Sequence, residues 1–435
     1  MEFIDTGTGG PKPNKPEPGE RELIPHLFRT EYSKITAVLC KLFGIENIEL
    51  AEDLASEAFL SAVETWPFKG IPQNPTAWLY LVAKNKAKNY LQRNQLFVRK
   101  IAPQIKDALL LHDPIPEQMD IEIDLSDKNI ADSQLQMLFA ICHPSISTEA
   151  QIGLALRILC GFGIDEIATA FLTSKETVYK RLLRAREKLR LEKVQIEFPG
   201  AREISQRLET VLATLYLLFN EGYYSESQEP VLREDLCLEA MRLTFLLTLN
   251  ELTNHPDVNA LLSLMCFHCS RFEARKSDNG EMILYQDQDE TRWNDALIAK
   301  GAWFLHRAAQ GNQLSKYHLE ATIAYWNTHK PDTKEKWDNI LQLYNRLLQV
   351  EYSPIAALNR TFALSKTSGK KAAIAEAEKL NLKDNHFYFV LLGELYMGID
   401  NAIARQNLER ALALARTLAD KHSIQKKIEG LPQGR

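Results

Sequence analysis

The residues best able to do chemistry lie between Gly163 and Arg190, in the run GIDEIATAFLTSKETVYKRLLRAREKLR. Lys175, Lys180, Arg181, Arg184, Arg186, Lys188 and Arg190 recur there at helical spacing, opposite Val178, Leu182, Ala185 and Leu189. Cations gathered on one helix face neutralise phosphates, and the first two turns of such a helix are placed for base edges in a major groove. The helix needs a start: Thr173 or Ser174 can cap it, and Glu176 falls in its first turn. Upstream, Ile164, Ile167, Ala168 and Phe171 form the apolar side of a short supporting helix that Asp165 can cap after the Gly163 break. Two such helices joined by one tight turn are a helix-turn-helix. A solvated basic helix in a bundle has the same surface pattern, so on this segment alone both readings stand.

Two earlier segments carry opposite charge. Glu49 to Trp66 holds Glu49, Glu52, Asp53, Glu57 and Glu64 with no base, and Leu54, Ala58, Phe59, Ala62 and Val63 supply its core side. Trp78 to Lys100 holds Lys84, Lys86, Lys88, Arg93, Arg99 and Lys100 with no acid, interleaved with Trp78, Tyr80, Tyr90 and Phe97. Bases with rings suit an unpaired strand, its bases stacked and its phosphates neutralised. For Trp78, Leu81, Val82 and Tyr90 the simpler expectation is core packing. Between the segments, Pro67 to Pro75 reads as a loop that cannot continue a helix and that could lie over a single strand. Ahead of them, Leu27, Tyr32, Ile35, Leu39 and Phe43 share one face of helical structure.

The order of AEDLASEAFLSAVETW, NPTAWLYLVAKNKAKNYLQRNQ and the helix-turn-helix resembles an extracytoplasmic-function sigma factor of bacterial RNA polymerase, across Leu23 to Lys193. The resemblance implies that Glu52, Asp53 and Glu57 dock on the clamp helices of the polymerase β′ subunit. It implies that Lys84, Asn85, Lys88, Asn89 and Arg93, with the Pro67 to Pro75 loop, receive the opened minus-ten strand. It implies that Lys175, Thr177, Tyr179, Lys180, Arg181, Arg184 and Arg186 hold the minus-thirty-five element, near the β flap. The family's recognition helix often reads Gly-Thr-Val-Arg-Ser-Arg; Glu176 and Tyr179 depart from that, so base preference does not carry over. An acidic, proline-containing linker over 101–133 is expected to be extended and, by the resemblance, to thread the polymerase cleft.

The remainder is helical and exceeds a minimal member of that family. Leu358, Asn359 and Phe362 recur as Leu392, Gly393 and Tyr396, a spacing of 392 − 358 = 34, the tetratricopeptide period. Ala404, Leu408 and Ala411 continue the last unit. Such stacks present a concave face to a peptide or partner helix. The segments YLLFNEGYYSE, LYQDQDETRWN and YHLEATIAYWNTH resemble hallmarks of a sigma subgroup with this extension. On the residues themselves, Asn220, Glu221 and Gly222 read as a helix stop, and Gln288, Asp289, Arg292 and Trp293 as a tie between helices. A small-molecule pocket stays open.

The predicted fold is therefore all-α: a tail over 1–20, a region 2 bundle over 21–100, the linker, a region 4 helix-turn-helix domain over 134–195 and a tetratricopeptide-like solenoid over 200–430. With 52 basic and 57 acidic side chains the net charge is −5, so the basicity is local. No signal-like or membrane-spanning run stands out, and six scattered cysteines suit a reducing, cytoplasmic compartment. Cys266, His268 and Cys269 form CFHC inside an apolar helix pattern without a second ligand pair; His143 and His306 stand alone. No cofactor and no catalysis of its own are expected. The expected partners are core RNA polymerase, promoter DNA and a protein or small-molecule regulator of the solenoid. Rival readings are an interaction scaffold with a sigma-like half and a polymerase-independent helix-turn-helix regulator.

Overall fold

The structure is a computed structural model that describes residues 20–100, 123–171, 173–200, 203–223, 230–275, 283, 285–415 and 418–432. Of the tail expected over residues 1–20, all but Glu20, which opens the first helix, lies outside the described residues, as does the linker as far as residue 122. Those described are helical, with no strand among them, and none of their helices is long and apolar enough to cross a membrane. The chain divides into two compact units, Met1–Leu218 and Phe219–Arg435.

In the first unit α1 (Glu20–Phe43), α2 (Ile48–Lys69) and α3 (Pro75–Lys100) pack together. Leu27, Tyr32, Ile35 and Leu39 of α1 are buried as their spacing predicts, and Tyr32 and Phe28 meet Phe59 of α2 through their rings. The buried carboxylate of Glu31 accepts from Tyr80 Oη of α3 at 2.5 Å and from Lys34 Nζ at 3.0 Å, tying α1 to α3. Burial and that carboxylate push the Tyr80 hydroxyl up from its usual range. Helix α2 does not stop at Pro67, contrary to expectation. So close to the helix end a missing N–H costs only one ladder bond, and termination falls to Gly70 (φ 82°), whose N–H donates to the Trp66 carbonyl at 2.9 Å.

Next come α4 (Asp127–Ile141), α5 (Thr148–Leu154) with a π turn over Ala155–Leu159, α6 (Ile164–Ala170) and α7 (Lys175–Leu191). Asp127 and Asp132, expected in an extended linker, are helical. Ser126 caps α4 by accepting from the Asn129 N–H, and Asp127 sits favourably in the first turn. Helix α1 packs on α4 and on the π turn, so the two halves of this unit share a core. Helix α8 (Ile204–Tyr223) crosses Leu218, and its earlier turns are fixed on this unit. There Thr214 Oγ1 donates to the buried Gln151 Oε1 at 2.8 Å, and Arg207 donates to the Phe139 carbonyl.

The second unit continues with α9 (Pro230–Thr248), α10 (Pro256–Cys269), α11 (Asp295–Ala308) and α12 (Lys316–Trp326). Helix α10 is buried nearly all round, Cys266 and Cys269 included. The His268 ring lies tilted against Tyr223, ring centres 4.4 Å apart. Then follow α13 (Lys334–Val350), α14 (Pro354–Ser368), α15 (Lys370–Leu380), α16 (His386–Tyr396), α17 (Asn401–Leu414) and α18 (Leu418–Glu429), each packed on the next. Leu358 and Leu392 share one core cluster with Phe362 and Tyr396, while Ala404, Leu408 and Ala411 sit in the next. Gly393 allows the approach of α16 to α17: a Cβ there would lie 2.6 Å from Leu408 Cγ. Gly222 falls in the last described turn of α8, one residue before its end at Tyr223. Residues 224–226 and Leu284, in two of the three quoted hallmark segments, lie outside the described residues.

Candidate polymerase and nucleic-acid interface

Each functional helix starts on a local signal. The Gly163 N–H donates to Glu166 Oε2 at 2.7 Å and opens α6; Asp165, expected to cap, instead reaches across the turn to Lys175 Nζ at 2.7 Å. Ser174 caps α7, accepting from the Thr177 N–H at 3.2 Å, with its Oγ 2.8 Å from Thr177 Oγ1. Val178, Leu182, Ala185 and Leu189 are buried as the stripe predicts. Opposite them Lys175, Thr177, Tyr179, Lys180 and Arg184 are exposed and Arg181 is half-buried. Thr177, Lys180, Arg181, Arg184 and Lys188 line an open cleft of about 460 Å³ against Ser145 and Ser147. Lys180 is paired with Glu176 at 2.6 Å within the helix. An exposed pair of that kind is worth about 0.3–0.5 kcal/mol and yields readily to a phosphate.

Arg186 is turned to another task. Its Nη2 lies 3.0 Å from Glu52 Oε2 of α2, and its Nη1 3.7 Å from Glu49 Oε1. Glu52 is buried, and Arg157 of the π turn stands with Nε 2.9 Å from its other oxygen. That oxygen accepts no aligned hydrogen bond, so Arg157 acts there as a neighbouring charge. Two residues expected to face different partners therefore face each other. Asp53 and Glu57 are exposed on α2, Glu57 meeting Lys86 Nζ of α3 at 3.0 Å. The sequence reading missed Arg157, although it is the one charge in the apolar run from Ile152 to Phe162, which was signal enough.

On α3, Lys84, Asn85, Lys88, Asn89 and Arg93 share one side. Asn85, Asn89 and Arg93 are exposed, Lys84 and Lys88 half-buried, and Leu79, Ala83 and Ala87 form the fully buried back. The rings and apolar groups divide differently from expectation. Trp78 packs edge-on against Trp66, but Leu81 is 55% exposed, Tyr90 is exposed beside Phe43, and Val63 of α2 is 50% exposed. The alanines fit closer to α1 and α2 than larger side chains would. That turns Leu81 and Val63 to the surface. The side chains of Phe97, Arg99 and Lys100 lie outside the described residues.

Comparisons with known proteins bear on the family and not on single residues. Residues 27–97 match Sigma-70 region 2, residues 117–195 match the ECF sigma factor family, and residues 207–309 match a family of unknown function (DUF6596). The chain is 32% identical over 390 residues to Uncharacterized protein R00370 of Rhizobium meliloti (strain 1021), covering 88% of this chain and 90% of that one. No solved structure matches the chain. Region 2 helices, a region 4 helix-turn-helix and both matches converge: the chain belongs to the extracytoplasmic-function sigma factors, non-enzymatic transcription initiation factors whose partners are core RNA polymerase and promoter DNA.

Proposed function

We propose that α7 reads the minus-thirty-five element through Lys175, Thr177, Tyr179, Lys180, Arg181, Arg184 and Arg186, and that α3 receives the opened minus-ten strand on Lys84, Asn85, Lys88, Asn89 and Arg93. Asp53 and Glu57 dock on the β′ clamp helices, and Glu52 joins them once released; region 4 lies by the β flap. The observation that carries this reading is the tie of Arg186 to Glu52, which joins the proposed DNA-facing helix to the proposed polymerase-facing one. Free protein is then closed, and polymerase and promoter compete with that contact for both residues. The C-terminal helical repeats regulate the switch within the chain. Support for regulation in cis comes from α8, which is hydrogen-bonded to region 4 through Thr214 and runs on past Leu218 to Tyr223, within the extension.

The test incubates core RNA polymerase with fragmented genomic DNA and either the full chain or residues 1–223, then sequences what survives a competitor challenge. Sites with two spaced motifs, recovered only when all components are present, are expected. Recovery with the short chain alone means that the extension inhibits; recovery with the full chain alone means that it is required. Folded protein that enriches nothing in either form would sink the reading.

A further inference from the structure

Within the second unit, a cluster of buried cations has no part in promoter recognition. Arg271, just after α10, is 7% exposed, and its guanidinium carbon lies 5.4 Å from the Tyr285 ring centre. Its Nε is buried without a hydrogen-bond partner, and among the described residues no carboxylate pairs with it. Lys336, at the start of α13, is 2% exposed and approaches the same ring at 5.1 Å. It donates to Tyr285 Oη at 3.0 Å and to the His329 carbonyl at 2.5 Å, both neutral acceptors. Lys330 donates to the Gln288 carbonyl.

The nearby acids among the described residues do not balance this charge. Asp332 already accepts from Trp337 Nε1 and from Lys366 Nζ at 2.9 Å, and Glu290 is exposed. Two more polar atoms end here unpartnered and buried, Nε1 of Trp293 and Oε1 of Gln288, and Trp293 stacks on Tyr285 with ring centres 6.3 Å apart. Buried charges are normally paired, because desolvation without a counter-charge costs several kcal/mol. Among the described residues, two neighbouring cations held by rings and carbonyls leave that cost unmet. Burial first, and then Arg271 and Lys366, pull the Lys336 pKa down, against the raising effect of Asp332.

We propose that Arg271, Lys336, Tyr285 and Trp293 form a binding site for a small anion, a phosphate or a carboxylate, whose oxygens accept from Arg271 and from the Trp293 N–H. Because Arg271, Lys336 and Trp293 are each more than nine-tenths buried, the proposed ligand is a compact group and not a nucleic-acid backbone. The anion joins three segments far apart in sequence: the end of α10, the turns over Tyr285–Arg292 and the start of α13. Its binding therefore stiffens the extension. The proposal does not depend on the promoter reading.

Calorimetry and thermal melts of the full chain test it, titrating inorganic phosphate or succinate at ionic strength held constant with sodium chloride. Saturable binding by at least one of them is expected, with a higher melting temperature, and at least tenfold weaker binding in Arg271→Met and Lys336→Met. Which of the two binds assigns the ligand to phosphates or to carboxylates. In sodium chloride without phosphate or succinate, Arg271→Met should melt above the wild type, because an uncompensated buried charge is gone. No saturable binding of either probe, equal binding in the variants, or a lower melting temperature of probe-free Arg271→Met would each overturn the proposal. The last would mean that Arg271 already has a counter-charge within the chain.

Discussion

Arg186 and Glu52, 134 residues apart, meet at 3.0 Å and close the recognition helix onto the acidic helix. Removing one partner of a buried ion pair leaves the other charge stranded, which costs about 3 kcal/mol. Glu52→Gln, which strands two guanidinium groups, is expected to lower stability by about that amount in urea unfolding. Arg186→Met should cost less, because Arg157 still neutralises Glu52. A double-mutant cycle should give a coupling above about 1 kcal/mol; additive single effects would mean that the contact is idle.

Charge reversal separates DNA contact from polymerase contact. Arg184 and Lys88 lie on different helices, Arg184 on the exposed side of α7 and Lys88 on that of α3. Arg184→Glu and Lys88→Glu should each weaken promoter binding by the polymerase complex, and each should reduce the salt slope by about one. Affinity for core polymerase alone should hold. A slope unchanged in both variants would remove phosphates from the account.

The sequence was most legible where one period decides burial. Val178, Leu182, Ala185 and Leu189 are inside because their spacing leaves no other face for a core. The recurrence of Leu358 and Leu392 marked two helices that share one core cluster for the same reason. Long-range choices were not legible. Nothing near Arg186 distinguishes it from Arg184, yet one meets a carboxylate on another helix and the other meets solvent. Val63, Leu81 and Tyr90 were misplaced because apolar character fixes a preference for burial, while the face is set by which small residues let helices approach. The cluster around Arg271 has parts drawn from 271, 285–293 and 330–336, which no local pattern assembles.

Thr214→Val tests how firmly α8 is held on region 4. The substitution keeps the shape but leaves Oε1 of the buried Gln151 without its donor, while the Gln151 Nε2 bonds to the His143 and Ile146 carbonyls persist. An orphaned buried acceptor costs about 1–3 kcal/mol. A fall of that size in thermal or urea unfolding is expected, and no change would mean that α8 rests on this unit without using the bond.

Gly393→Ala addresses the solenoid. The new Cβ would meet Leu408 Cγ at 2.6 Å and Cδ2 at 2.8 Å, and Leu408 is fully buried with no room to retreat. Overpacking of this kind costs about 1–3 kcal/mol. The variant should melt several degrees lower, and Leu408→Ala in the same chain should recover part of the loss. Failure of that pairing would place the strain elsewhere.

His268 gives the second unit a pH dependence whose sign is fixed by its surroundings. Burial first, then the positive charges of Arg271 and Arg275, hold its imidazole pKa well below the ordinary histidine value. The folded state therefore binds fewer protons than the unfolded chain. Stability is fully present above the unfolded pKa, about 6.5, and falls as the pH drops below it, by at most about 1.4 kcal/mol per pH unit. His143, also shifted down by burial, acts in the same direction. Melts between pH 7.5 and 5.5 should decline for the wild type and less steeply for His268→Leu, which has no proton to refuse. If the two slopes coincide, protonation of other groups governs the acid side, and the imidazole beside Tyr223 is not what resists it.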